Sequence, residues 1–254
     1  MAMLFRVFKI FALVLAFAPN SGICAEPAIT RQLIVVVTDS WNDTGARLYC
    51  FERRAGKWKK AKGWFMAVVG EKGMGWGVGI AGGQPMFPIK MEGDRKAPAG
   101  IFPLVKAMGY EASPLAGSFP YEQIGESTQC VDDPGSPLYN MIVKESDYNV
   151  PAFEHWKSSE LMKRKDGLYK WLVVVGYNMK GPKPGSGSCI FMHIWQSPGK
   201  GTAGCTAMAE KDIVELLHWL KVEKNPVLAQ LPLPVYKQYW KEWQLPAPEF
   251  LDEP

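Results

Sequence analysis

Short runs of β-branched and aromatic residues, broken by turn residues, fill most of the chain, and a helical period appears only near its C-terminus. Gln32–Thr38 carries the run Leu-Ile-Val-Val-Val, which predicts a buried first strand. Leu48–Glu52 and Trp64–Val69 predict further strands, with the basic turn material Arg53-Arg54-Ala55-Gly56-Lys57 after the first of them. Strand, turn and strand at such close spacing predict antiparallel pairing. Trp171–Val175 adds another strand. The run Ser188 to Trp195 adds one more, with Cys189, Phe191 and His193 on one face and Ile190, Met192 and Ile194 on the other. Trp156 to Lys165 reads as a short exposed helix with Ser158 or Ser159 near its start. The period changes after residue 208. Ile213, Val214, Leu216, Leu217 and Leu220 recur at helical spacing and predict an amphipathic helix over about 209–221.

Between these elements lie stretches shaped by glycine and proline. Gly77 to Gly82 formally matches a dinucleotide fingerprint, but Pro85 and Pro88 follow where that site needs a helix, so no nucleotide site is read there. Gly93 to Leu104 reads as a turn resolving into an extended segment, with Asp94, Arg95 and Lys96 in front. Residues 107–150 read as a long ordered loop beside a cleft. Asp132 and Asp133 lie within it without the spaced oxygen ligands of a calcium loop. The aromatic tail Val235 to Trp243 is expected to dock on its own domain. Together these elements predict a mostly β domain with antiparallel pairing and a few short helices.

The N-terminus changes the setting. Arg6 and Lys9 precede an apolar stretch from Ile10 to Ala18 and small residues around Ser21 to Ala25, the pattern of a secretory signal over 1–25, too short to span a bilayer. Lipidation at Cys24 is the less favoured reading, because bulky Ile23 precedes it. Residues 26–254 then form the working domain with a C-terminal extension. Loss of the leader removes two basic residues and no acidic ones, which takes the formal charge from +4 to +2. Neither a polyanion-binding face nor a nucleic-acid motif is read from it, and no integral membrane segment is expected after cleavage. Cys50, Cys130, Cys189 and Cys205 stay in the mature chain, where an oxidising compartment permits disulfides. Cys130 with Cys189 is the preferred pair, as both lie near segments expected around the site. Pairings with Cys50 stay open.

Candidate chemistry concentrates at His193 and at Thr202-Ala203-Gly204-Cys205-Thr206. A lone thiol, with a pKa of about 8.5, is mostly protonated at neutral pH, and an imidazole in hydrogen-bond reach activates it. Buried cysteines and histidines are more often structural, as His218 in the predicted helix is read to be. Small residues before Cys205 leave its sulfur sterically open, however, and the amides of Gly204, Cys205 and Thr206 offer donors to an oxyanion. A zinc site of Cys189, His193 and Cys205 is a weaker reading, since two pleats put Cys189 roughly 13 Å from His193. A wall-binding protein without catalysis is a third.

His193, the Thr202-Ala203-Gly204-Cys205 turn and the amphipathic helix after it, preceded by Pro98-Ala99-Gly100-Ile101-Phe102, resemble the catalytic domain of YkuD-type L,D-transpeptidases. Ile194, Ala203 and Ala207 stand where that family commonly has Gly, His and Arg. The resemblance implies a mostly β, antiparallel, sandwich-like domain with Cys205 at the mouth of a cleft, and a periplasmic enzyme of peptidoglycan stem peptides, without metal or cofactor, that attacks the bond between a diaminopimelate and a terminal D-alanine. It implies Cys205 as nucleophile, His193 as its base and Gly204 as an oxyanion donor. An amine of a second stem peptide, or of a wall-linked lipoprotein, would resolve the thioacyl intermediate; with water instead, the same site is a carboxypeptidase or amidase. Arg95, Thr202, Thr206 and Trp195 are assigned to substrate binding, and Arg95 or Lys200 to the substrate carboxylate in place of the missing arginine.

Overall fold

The structure is a computed structural model and describes residues 30–78, 88–112, 118–144, 147 and 155–251. The leader and most of the Gly77 to Gly82 stretch lie outside the described residues. Most of the strands join one large mixed sheet. In chain order these are β1 (Gln32–Thr38), β2 (Gly45–Arg54), β3 (Lys57–Lys60), β4 (Phe65–Val68), β5 (Met74–Trp76), β6 (Ala97–Gly109) and β7 (Tyr121–Gln123). After a separate small sheet come β11 (Trp171–Val175), β12 (Phe191–Ile194), β13 (Thr206–Met208) and β14 (Val227–Pro232). The spatial order is β1-β14-β6-β11-β12-β13-β4-β2-β3, and β1 also pairs with β2, so the sheet closes on itself and leaves β3 hanging from β2.

Closure depends on two long strands. β2 faces β1 along one side, while its other side is shared between β4 at Gly45–Leu48 and β3 at Phe51–Arg54. β6 likewise pairs with β14 through Gly100–Pro103 and with β11 through Leu104–Gly109. A strand flanked on both sides inside such a sheet needs no polar face, and every residue of β1 is buried. Most ladders are antiparallel, but β1 with β14, β12 with β13, β5 with β6 and β6 with β7 run parallel. The parallel β12–β13 pair matters most for function, because it brings two strands separated by a loop alongside each other in the same direction.

Among its described residues, the expected long loop over 107–150 carries short strands at four places. It completes β6, supplies β7, and contributes β8 (Thr128–Val131) and β9 (Ile142–Lys144) to a small second sheet of order β10-β8-β9. Strands of three or four residues between turns carry too short a pattern to show a period. The helix expected over Trp156–Lys165 is corrected by the same sheet. β10 (Ser159–Leu161) pairs antiparallel with β8, placing Glu160 opposite Cys130, and Trp156 is buried against Val131 and Val143. Pairing and burial of the tryptophan override a weak local helical preference here.

The amphipathic helix forms as α1 (Glu210–Trp219), burying Ile213, Leu216 and Leu217 against the main core and carrying Glu210 and Asp212 in its first turn. The tail docks on its own domain through α2 (Leu233–Tyr239), whose Tyr236 hydroxyl donates to the Pro246 carbonyl at 2.7 Å. Phe250 then packs edge-on against Tyr49, Phe51 and Tyr236. Burying one such ring stabilises the fold by about 1.5–3 kcal/mol. Among the described residues, no helix is long and apolar enough to cross a membrane.

Candidate active site

Cys205 immediately precedes β13, and the parallel register sets Met192 beside Thr206 and His193 beside Ala207. The thiol therefore lies at the height of Phe191, whose backbone N–H donates to Sγ at 3.3 Å, while Sγ faces the Cys189 carbonyl at 3.5 Å. Thr202 closes the turn before it. Its hydroxyl donates to the Cys205 carbonyl at 2.6 Å and accepts the Gly204 N–H at 3.1 Å. Gly204 has φ of 152°, and a Cβ there would stand 3.1 Å from the Lys96 carbonyl oxygen, so the turn needs glycine twice over.

His193 is held by its own strand. Nδ1 lies 2.7 Å from the Ile194 carbonyl oxygen, which can only accept, so Nδ1 carries the proton and Nε2 is the basic nitrogen. The Tyr169 ring stands edge-on to the imidazole at 5.0 Å and to Phe191 at 5.5 Å. Burial lowers the His193 pKa to about 4. Burial first, and the charge of Glu160 second, push the Cys205 thiol up to about 12. At neutral pH both groups are uncharged, so the resting pair is thiol and imidazole rather than thiolate and imidazolium.

The histidine also ties stability to pH. His193 titrates near 6.5 when unfolded and near 4 when folded, so the unfolded chain binds more protons across that interval. Its stabilising contribution is complete above pH 6.5 and is lost as the pH falls through 4, on the order of 3 kcal/mol. Urea titrations at pH 7, 5 and 4 are expected to show that loss, and a His193→Gln variant to show a correspondingly flatter profile.

Both residues line one cleft of about 550 Å³, together with Gly204, Thr202, Arg95 and Lys200. Arg95 is more than half exposed and ion-paired with Glu71. Two residues assigned to substrate do not line it. Thr206 is buried, with its hydroxyl donating to the Gln230 side chain, because its side chain leaves the strand on the face opposite that of its neighbour Cys205. Trp195 lies just past the end of β12, where its N–H donates to the Met208 carbonyl at 2.8 Å, and the neighbouring Gln196 lines the cleft instead.

A disulfide joins Cys130 in β8 to Cys189, across 59 residues of sequence, as the preferred pairing has it. Cys189 is thereby withdrawn as a zinc ligand. Its N–H donates to Asn140 Oδ1 at 2.9 Å, and the Asn140 amide donates in turn to the carbonyls of Tyr177 and Asn178. The small sheet is thus clamped to the segment entering β12. Cys50 is buried in the main core instead, where burial raises its thiol pKa strongly.

Several cleft residues have no signature in the sequence. Lys90, only 3% exposed, donates through Nζ to Asp94 Oδ1 and the Met91 carbonyl, each at 2.6 Å, and its stem runs beneath Gly187 and Gly204. Glu92 accepts from the Tyr139 and Ser188 hydroxyls. Glu160 accepts the Tyr169 hydroxyl at 2.5 Å, and Arg164 reaches Glu160 while forming a two-pronged pair with Asp166. Isolated charges in short strands and turns show no period, and only the topology gathers them.

A mostly β domain with a Cys and a His on adjacent parallel strands, opening on a mixed-charge cleft, has the elements of a cysteine acyl-transfer site. Residues 41–229 match the YkuD family, described as the L,D-transpeptidase catalytic domain, and the chain belongs to that family. Among solved structures, the helical cell shape determining protein Pgp2 from Campylobacter jejuni is similar at 16% identity and a TM-score of 0.32, over 80% of this chain and 50% of that one. The chain thus spans half the length of that protein. No curated protein sequence matches it.

Proposed function

We propose that the protein is a periplasmic cysteine L,D-transpeptidase of peptidoglycan stem peptides, working from residues 26–254 after loss of the 1–25 leader. The observation that carries this reading is the pair lining one cleft of the family-matched domain: Cys205 on a glycine turn, and His193 with Nδ1 committed to a carbonyl so that Nε2 is basic. His193 Nε2 takes the thiol proton as Sγ attacks the carbonyl carbon between diaminopimelate and D-alanine. The Gly204 N–H is engaged with Thr202 in the resting turn, so the oxyanion falls first to the Cys205 amide, with Gly204 joining if it leaves that bond. The imidazolium returns the proton to the departing D-alanine nitrogen, leaving a thioester on Cys205. An acceptor amine, from a second stem or a wall-linked lipoprotein, attacks the thioester, and the thiolate leaves and is reprotonated.

Arg95 is the proposed partner of a substrate carboxylate. Its pair with Glu71 is exposed and contributes at most about 1 kcal/mol to stability. Arg95→Ala is therefore expected to keep its melting temperature while raising KM about tenfold, the loss of one charge-assisted contact. Unchanged KM removes Arg95 from binding.

Incubation with diaminopimelate-type muropeptides carrying tetrapeptide stems tests the reaction itself. Loss of D-alanine with 3-3 crosslinked dimers establishes transpeptidation, and shortened stems without dimers establish a carboxypeptidase. No change in either sense contradicts both.

A further inference from the structure

Glu160 occupies the middle of β10 on the wall of the cleft that holds Cys205 and His193, with 27% of its side chain exposed. Its neutralisation is incomplete. Arg164 reaches it through one nitrogen at 3.3 Å, while the same guanidinium is committed to Asp166 through Nε at 2.9 Å and Nη2 at 2.5 Å. Asp132 lines the same wall and adds negative potential at Glu160. This part of the cleft therefore combines a shielded carboxylate, a cation already in use and an opening to solvent.

Tyr169 connects that carboxylate to the reacting pair. Its ring is wedged between Phe191 and His193 in the buried cluster that also holds Cys205, and its hydroxyl donates to Glu160. A phenol has one proton to donate. In this arrangement it goes to Glu160.

We infer that Glu160 is the receptor for a cationic amine of the substrate, and that filling it frees the Tyr169 hydroxyl to stabilise the Cys205 thiolate. Only the source of the amine, the side-chain amine of a diaminopimelate stem, rests on the function proposed above. The coupling among Glu160, Tyr169 and Cys205 stands on the packing alone. An ammonium at Glu160 acts in two ways that add. It cancels a negative charge that opposes ionisation of the thiol, and it competes for the acceptor that holds the phenol. Lys90, whose ammonium is held by Asp94 and the Met91 carbonyl, already favours the thiolate and takes no part in the exchange. The empty site thus keeps the nucleophile protonated and unreactive, and a substrate with the right amine activates it. In this scheme Glu160 touches the substrate and Tyr169 touches the nucleophilic sulfur, while Cys205 and His193 carry out the bond changes.

Two measurements test the inference. In the first, iodoacetamide labels Cys205 at pH 8, followed by mass spectrometry, in wild type, Glu160→Gln and the Glu160→Gln/Tyr169→Phe double variant. Glu160→Gln keeps the shape and removes the charge, so labelling is expected to accelerate at least about fivefold, and the double variant to give back most of that gain. Labelling of natively folded Glu160→Gln at the wild-type rate or slower overturns the coupling. In the second, the Cys205→Ala protein with Glu160 intact is titrated calorimetrically with two stem tetrapeptides that differ only in acetylation of the side-chain amine. The free amine is expected to bind about tenfold more tightly. Equal affinity, or binding of neither, overturns the receptor. A preference for the free amine in a protein whose wild type turns over no muropeptide leaves the receptor standing and refutes the proposed reaction instead.

Discussion

Cys205→Ala is expected to reduce D-alanine release from tetrapeptide stems by at least about 10⁴-fold, as removal of a covalent nucleophile does elsewhere. Among the described residues no other thiol can substitute. Cys130 and Cys189 are bonded to each other, and Cys50 is sealed in the main core. The variant should fold, because the sulfur belongs to a small cluster whose loss of one atom leaves only a minor cavity. A second variant separates the nucleophile from its base. With the thiol held near pKa 12, the spontaneous thiolate at pH 7 amounts to about one part in 10⁵, so His193→Ala should cost about 10²- to 10⁴-fold. That deficit should narrow as the pH rises toward 10, since hydroxide then removes the proton that His193 takes in the wild type. A His193→Ala enzyme with wild-type activity at pH 7 would remove the histidine from the mechanism.

The second large effect concerns the fold. Replacing Cys130 and Cys189 together by serine opens a cross-link that spans 59 residues, and the chain-entropy relation gives a loss of about 4 kcal/mol. The damage should reach the site, since the Cys189 carbonyl faces Sγ of Cys205 and the Cys189 N–H is held by Asn140. Urea unfolding of the wild type with and without a phosphine reductant is the simplest check. An unchanged midpoint in the fully reduced protein would show that the small sheet and the Asn140 bonds hold the segment without the covalent link.

The legible parts of this molecule are those where one period lasts long enough to register. β1 reads as a buried strand because both its edges and both its faces are covered, so the five consecutive residues Leu33 to Val37 are free to be apolar. α1 reads as a helix because Ile213, Leu216 and Leu217 face one core. Cys205 and His193 are conspicuous because a Gly turn followed by Cys, and a His on an apolar run, stand out against the surrounding strands. β7 to β10 escape because three- or four-residue strands hold no measurable alternation, and β10 exists only by pairing with β8. Glu160, Arg164 and Tyr169 escape for a related reason. Their significance lies in a meeting of the small sheet with the segment leading into β11, across residues that sequence distance separates from Cys205. Thr206, by contrast, was open to correction from the sequence. Strand alternation forbids it the face of Cys205, and it turns inward to Gln230 as that rule requires.

Intact-protein mass spectrometry after acid quenching tests the central claim most directly. The protein is mixed for seconds with a stem tetrapeptide, and a covalent species is sought on Cys205. The account predicts an adduct equal to the tetrapeptide less D-alanine, linked as a thioester, absent from Cys205→Ala and chased away by an added amine acceptor. Release of D-alanine by the Cys205→Ala variant at the wild-type rate, or an adduct on any residue other than Cys205, would contradict it.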